Sequence, residues 1–141
     1  MTRMICRILS IAALVIGAPL SAQSMDHGSD HHASSGWKEL DAFHTLMAAT
    51  WHPAKSNDLK PIRARADSLA AAARVWSQAK APAACDTETL KAAIADVVTG
   101  SAKVEQLVAK NVADAELRAA LHDVHERFEV VEKGCKPAKH H

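Results

Sequence analysis

The sequence lacks tyrosine entirely, and its phenylalanine and tryptophan residues make up only 4% of the chain. Alanine is abundant instead, and this composition favours packed helices over a β-sheet. The chain also has no large excess of charge of one sign, because its formal net charge is +1. Nothing therefore directs it towards nucleic acid or an anionic membrane surface.

Several motifs that would indicate a known chemistry are missing. There is no Cys-x-x-Cys pair, which disfavours a structural zinc site, and no Cys-x-x-Cys-His, which excludes covalently attached haem. The sequence shows no nucleophile with a base and an orienting group, no paired carboxylates with di-iron spacing, and no phosphate-binding loop. We therefore expect a protein that is not an enzyme.

The first 22 residues read as a secretory signal peptide. Arg3 and Arg7 give a positive start, residues 8–17 are apolar, and Leu20-Ser21-Ala22 is a plausible cleavage site. The apolar run is shorter than the roughly 20 residues that span a bilayer, so an uncleaved anchor is the weaker alternative. Cleavage would leave about 119 residues with a formal charge of −1 and predicts a periplasmic or secreted protein without a membrane span.

Residues 23–36 and 136–141 have the composition of flexible tails with little hydrocarbon to bury. Both tails are rich in histidine. They could capture metal ions weakly and without selectivity, or they could simply aid solubility. The histidines concerned are His27, His31, His32, His140 and His141.

Four segments between residues 37 and 135 have the apolar periodicity of amphipathic helices. The first is expected from Trp37 to Thr50, ending near Pro53, and the second follows Asp58 and stops before Pro82. The third begins near Asp86 or Thr87, and Asp114 is expected to cap the fourth, which Gly134 ends. Four such helices joined by short loops predict an all-α, up-down-up-down four-helix bundle.

Cys85 and Cys135 are the two cysteines that would remain after signal cleavage. In the predicted topology the connection between the second and third helices lies at the same end as the close of the fourth helix. An exported protein also meets an oxidising environment. Compartment and topology together predict a disulfide, with two unpaired buried cysteines as the alternative.

The first and last helices carry side chains that are able to bind metals. Trp37, Leu40, His44, Met47 and Trp51 follow one another at 3-4-3-4 spacing, which is typical of a buried helix face. The fourth helix carries two further histidines one turn apart, and a fifth candidate ligand follows the first helix: His122, His125 and His52.

Measured from the predicted helix ends, His44 and His122 fall at a similar level on adjacent antiparallel helices. His122 and His125 flank the expected core. Glu126, Glu129 and Glu132 offer carboxylates nearby, although glutamates at this spacing usually form only a solvated surface. Imidazole and thioether ligands suit copper or haem iron, and they are poor ligands for magnesium or calcium.

The export signal, the four-helix layout and the Met/His residues on the outer helices resemble the periplasmic four-helix cytochromes. The soluble b-type cytochrome holds haem by a Met on its first helix and a His on its last. The resemblance implies that haem would be held by Met47 or His44 on the first helix and by His122 or His125 on the last. Cytochrome c-prime has the same layout, but its Cys-x-x-Cys-His motif is replaced here by Leu-His-Asp-Val-His-Glu. One stretch also resembles a group of small exported bacterial helical proteins, a likeness that implies no activity: Phe43-His44-x-x-Met47, Trp51-His52-Pro53 and Asp58-Leu59-x-Pro61-Ile62-Arg63.

Three functions remain open from the sequence. The first is an exported bundle that buffers or delivers a transition metal, copper favoured, through histidine and methionine side chains. The second is a protein that binds haem b non-covalently at the same residues. The third is a structural or protein-binding bundle, with a periplasmic partner, in which the histidines are incidental. The oligomeric state does not follow from the sequence.

Overall fold

The computed structural model describes residues 34–135, so the predicted signal peptide, residues 23–33 and residues 136–141 lie outside the described part. This part contains four helices: α1 (Lys38–Lys55), α2 (Lys60–Gln78), α3 (Glu88–Ala109) and α4 (Asp114–Gly134), with a 3₁₀ turn at Ala83–Cys85. The predicted all-α four-helix bundle is confirmed. No helix among residues 34–135 combines the length and apolar character needed to cross a membrane.

A cluster of aromatic rings occupies the interior near the start of α1. Phe43 and Trp76 have no exposed surface, and Phe128 is 2% exposed. The ring of Phe43 stacks on Trp76 at a centroid distance of 5.3 Å and lies 5.4 Å from Phe128. Phe43 therefore occupies the core position on this turn of α1, and the neighbouring His44 lies at its edge.

Neighbouring helices in sequence pack against each other, and α1 also contacts α4. Residues 44 and 51 of α1 contact residues 132 and 122 of α4 respectively, so these two helices run in opposite directions. The predicted disulfide is present: Cys85 and Cys135 are joined, with their Cα atoms 4.8 Å apart. It links the 3₁₀ turn before α3 to the end of α4.

The expected end of the first helix is wrong, because α1 continues through Pro53 to Lys55. A proline in the last turn removes a single backbone donor, and the chain that follows satisfies the carbonyls at the end of the helix. The N–H groups of Ser56 and Asp58 both donate to the Pro53 carbonyl, and Asn57 donates to Ala54. Asn57 has a positive φ of 65°, which closes the helix in the left-handed region that asparagine tolerates.

The helix starts differ in part from the sequence-based expectation. Thr87 is the N-cap of α3 as predicted, and its side chain accepts from the Leu90 N–H. Asp58 lies one residue before the Leu59 N-cap of α2, and it accepts from the Lys60 N–H at 3.1 Å. Asp114 is not a cap, because it is the first residue within α4.

The carboxylate of Asp114 instead accepts a hydrogen bond from Arg63 on α2 at 2.7 Å. The same guanidinium donates to the carbonyl of Val112 just before α4. Two further residues before α1 are bonded to its first turns: Ser34 Oγ and the Ser35 N–H both donate to the Asp41 carboxylate. These bonds fix the chain at the start of α1.

Two glycines allow α3 and α4 to approach closely. A Cβ placed on Gly100 of α3 would lie 2.8 Å from Val124 Cγ2, and one on Gly134 of α4 would lie 2.7 Å from Leu90 Cδ2. Gly100 weakens its helix by up to about 1 kcal/mol relative to alanine. The close packing of α3 against α4 explains why glycine is suited to this position.

Candidate functional site

Four side chains with metal-binding atoms form a stripe along α4. His122, His125, Glu126 and Glu129 follow the spacing i, i+3, i+4, i+7, which places them on one face of the helix. We call this set the α4 stripe. The His125 side chain is 21% exposed and Glu129 is 32% exposed, whereas His122 and Glu126 are more than half exposed. One edge of the stripe is therefore sheltered and the other faces solvent.

Trp51 of α1 covers the two imidazole rings of the stripe. Its ring centroid lies 5.0 Å from His125 and 5.3 Å from His122. Trp51 itself is only 8% exposed. The indole thus limits the rotation of both imidazoles and excludes water from one side of them.

The side chains of the stripe lie near one another but beyond direct hydrogen-bond distance, and Glu126 and Glu129 face different nitrogens of His125. Glu126 Oε1 lies 3.5 Å from His122 Nε2 and 3.7 Å from His125 Nδ1, and Glu129 Oε1 lies 3.7 Å from His125 Nε2. These separations exceed the usual hydrogen-bond range of about 2.7–3.2 Å. Ligands about 2.0–2.2 Å from a tetrahedral ion would lie about 3.3–3.6 Å from one another.

Three of the four side chains already meet the geometric condition for a common ion. One ligand atom each from His125, Glu126 and Glu129 lies within 4.8 Å of the others. His125 Nδ1 is buried and has no hydrogen-bond partner within residues 34–135. A buried polar atom without a partner is costly.

Glu129 is held in its charged form. The Lys133 ammonium donates a hydrogen bond to Glu129, and this contact keeps the pKa of the carboxyl below its ordinary value. Burial opposes the shift, and the charges of Lys133 and His125 add to it. An ionised carboxylate at this position is the form that binds a cation.

His44 lies at a different level from the two histidines of the stripe. Its Nδ1 is 3.1 Å from Glu132 Oε1, and its ring lies 5.1 Å from that of Phe128. The histidines of the stripe lie beside Trp51, seven residues and about 10 Å further along α1. The predicted match in level between His44 and His122 is therefore wrong, and part of the error is the end of α1, which lies at Lys55 and not at Thr50.

Met47 and His52 differ from the histidines of the stripe in burial and grouping. Met47 is 1% exposed and belongs to the hydrophobic core. His52 is exposed in the last turn of α1 and is not a member of the three-residue group. Of the five predicted ligands, His122 and His125 lie together beside Trp51, and His44 lies beside Glu132.

The sequence analysis treated the carboxylates of the stripe as a solvated surface and did not include the Trp51 indole in the candidate site. Glu126 and Glu129 stand four residues after His122 and His125, and this repeated His/Glu spacing is the signal that pairs them on one face. Trp51 was assigned only to the apolar face of its helix. Its contact with α4 depends on how the two helices are placed relative to each other, which periodicity does not specify.

Haem b would need an apolar space beside the predicted ligands, several of which lie against tightly packed side chains. Two of the cavities formed by residues 34–135, of about 420 Å³ and 240 Å³, are lined by none of His44, Met47, His122 and His125. The side chains that fill the interior near these residues, such as Phe128, are almost fully buried. A porphyrin would have to displace this packing. The chain has no significant match among protein-family models, curated proteins or solved structures.

Proposed function

We propose that this protein is an exported, non-enzymatic four-helix bundle that binds one divalent transition-metal ion, copper(II) favoured, at the α4 stripe. The observation that carries the proposal is the convergence of donor atoms from His125, Glu126 and Glu129 within 4.8 Å, with His122 adjacent. His44 and Met47, which the sequence suggested as ligands, are not part of this donor set.

The donor chemistry selects the class of ion. Two imidazoles and two carboxylates form a nitrogen–oxygen set of borderline hardness, which suits divalent copper, nickel or zinc. The affinity of such sites for divalent ions generally peaks at copper. Without the Met47 thioether the set loses its soft donor, which shifts the preference from copper(I) to copper(II).

The exposure of the stripe suits a buffer or carrier. His122 and Glu126 face solvent, so an ion can enter and leave without any movement of the core. Trp51 and the sheltered His125 fix the other side of the site. The Cys85–Cys135 disulfide supports an oxidising compartment such as the periplasm, in agreement with the signal-like N-terminus.

The test is a copper(II) titration of protein purified without an affinity tag, followed by calorimetry and tryptophan fluorescence. We expect one ion per chain to bind with quenching of Trp51, because that indole contacts both histidines of the stripe. His125→Ala should weaken binding by at least about 100-fold, on the scale seen when metal sites lose a supporting group. Glu129→Gln should also weaken it, since it removes a charged ligand.

His52→Ala is the matched control, because it removes an exposed histidine of α1 outside the stripe. It should leave the affinity unchanged. Equal affinities for the wild type, His125→Ala and His52→Ala would assign any bound metal to the histidine-rich tails and reject the site. If no copper(II) binds at all, the alternative of a structural or protein-binding bundle would be favoured.

A further inference from the structure

An exposed lysine lies beside the α4 stripe and is paired with one of its carboxylates. Lys133 stands four residues after Glu129 and seven after Glu126, which places it on the same face of α4. Its Nζ donates a hydrogen bond to Glu129 Oε2. A tethered cation therefore lies against a carboxylate that is part of the candidate metal site.

The two oxygens of the Glu129 carboxylate have different surroundings. Oε2 accepts from the Lys133 ammonium, whereas Oε1 faces His125 Nε2 at 3.7 Å. While the pair with Lys133 is intact, Glu129 can offer one oxygen to an incoming ion and not both. The oxygen that it can offer is the one beside an imidazole nitrogen.

Calcium and the transition metals differ in how they use such a carboxylate. Calcium takes about six to eight oxygen ligands, and a carboxylate can supply both of its oxygens to one calcium ion. Copper, nickel and zinc take fewer ligands and combine imidazole nitrogens with carboxylate oxygens. Calcium at the stripe would depend on the carboxylates and would compete with Lys133 for Glu129 Oε2. A transition metal can take Oε1 together with an imidazole and leave the pair with Lys133 intact.

The charge of Lys133 acts on both classes of ion, because an ammonium repels every nearby divalent cation. This repulsion lowers both affinities and does not discriminate between them. The discrimination comes from the oxygen that Lys133 occupies, since an ion that needs this oxygen must also break the pair with Glu129. The ratio of the two affinities, rather than either affinity alone, therefore measures the effect.

We propose that Lys133 is a specificity-determining residue of the α4 stripe. It occupies one oxygen of Glu129, which weakens the binding of calcium more than that of a transition metal, and it leaves the other oxygen to an ion held by His125. The inference rests on the proposed function, because it concerns the choice of ion at the same site. It differs from the usual role of a Glu–Lys pair at this spacing, which is to support the helix.

The experiment compares calcium(II) and copper(II) binding to the full chain without an affinity tag. Calcium binding is followed by NMR through the backbone amide signals of residues 122–133, and copper(II) binding by calorimetry and tryptophan fluorescence. Lys133→Met frees the second oxygen of Glu129 and should strengthen calcium binding more than copper(II) binding. We expect the ratio of copper(II) to calcium affinity to fall at least about three-fold, on the scale of one exposed ion pair.

Three further variants serve as controls. Lys103→Met removes the same charge from an exposed position of α3 and should leave the ratio unchanged. Lys133→Arg keeps a cation that pairs with a carboxylate, so it should not lower the ratio. Lys133→Met combined with Glu129→Gln should give the same ratio as Glu129→Gln alone, because the effect acts through that carboxylate. Circular dichroism confirms that each variant is folded.

An unchanged ratio in Lys133→Met would overturn the inference and leave the pair as a support of the helix. Copper(II) affinity that falls at least about 10-fold in this variant would also overturn it, since Lys133 would then act by orienting Glu129 as a ligand. In both cases, copper(II) binding that is lost in His125→Ala leaves the proposed function standing. Copper(II) binding that is insensitive to His125→Ala would overturn the proposed function and this inference together.

Discussion

Helix α4 packs against its two neighbours in opposite ways. Against α3 it makes a close interface in which Gly100 faces Val124 and Gly134 faces Leu90. Against α1 it makes far fewer close backbone approaches, and the space is occupied by aromatic and imidazole rings such as Trp51 and His125. The close interface provides stability, while the wider one leaves polar side chains near the surface where they can bind an ion.

The physical cause is the size of the side chains at each interface. Glycine lets two backbones approach, although it costs conformational entropy within a helix. Indole and imidazole rings hold two helices further apart and bring polar atoms with them. The two interfaces should therefore respond differently to substitution, and the following predictions test that difference, from the largest expected effect to the smallest.

The largest effect is expected from removal of the disulfide on the α3 side of α4. The bond closes a loop with a sequence separation of 50 residues. On the chain-entropy model, the double change Cys85→Ser and Cys135→Ser lowers the free energy of unfolding by about 4 kcal/mol. Urea unfolding of the wild type and the variant measures this difference.

The single variant Cys85→Ser serves as the control for that experiment. It breaks the same bond and should lose nearly as much stability as the double variant. Copper(II) affinity should stay within about two-fold in both folded variants, because the α4 stripe lies away from the disulfide. A loss below about 1 kcal/mol would contradict the role given to the bond.

The next effect concerns the close approach of α3 and α4. Gly100→Leu inserts a side chain where even a Cβ would lie 2.8 Å from Val124. Overpacking of this kind lowers the free energy of unfolding by about 1–3 kcal/mol. Thr99→Leu, at the neighbouring exposed position, should change it by less than about 0.5 kcal/mol.

A double-mutant cycle sharpens this prediction. Val124→Ala removes the methyl groups that the new leucine meets, so the double variant should be more stable than the sum of the two single effects implies. Additive effects would show that α3 and α4 separate freely at this point, in which case the contrast between the two interfaces does not hold.

The smallest effect concerns the start of α1. Ser34 and Ser35 donate hydrogen bonds to Asp41 and, although burial raises the pKa of this carboxyl, these bonds lower it below its ordinary value near 3.8. Since the folded-state pKa is depressed, the stabilisation is present above the unfolded value of about 3.9 and is lost as the pH falls through the folded value. Asp41→Asn should therefore cost about 1 kcal/mol at pH 7, on the scale of helix caps.

The measurement is the free energy of unfolding of both proteins from pH 7 down to pH 2. The two curves should converge at the acidic end, where Asp41 is protonated and resembles asparagine. A constant gap across this range would mean that the bonds of Asp41 to the serines do not depend on its charge.

The sequence predicted the four helices and the pairing of the cysteines because both follow from local or topological rules. The spacing of apolar residues repeats with the 3.6-residue period of a helix, and adjacent ends of a bundle bring Cys85 and Cys135 together. The end of α1 was missed because Pro53 in a final turn removes only one hydrogen bond, and the residues after it cap the carbonyls of Pro53 and Ala54.

The composition of the candidate site was only partly predictable. The sequence predicted His122 and His125 as ligands together with His44 and Met47, but His44 lies at a different level of α1 from the two histidines of α4. Placement of Phe43 in the core turned His44 to the edge, where it meets Glu132 instead. A shift of one position around a helix moves a side chain by about 100°, which decides whether it faces the core or the surface.

The sequence by itself determined the class of fold, the number of helices and the residues able to cross-link or bind metals, because these depend on composition and local periodicity. Only the tertiary structure decided which of those residues meet: Trp51 lies over the two histidines of α4, and Glu126 lies between them. The reason is that contacts between helices depend on their relative placement, which the packing of bulky and small side chains sets throughout the bundle.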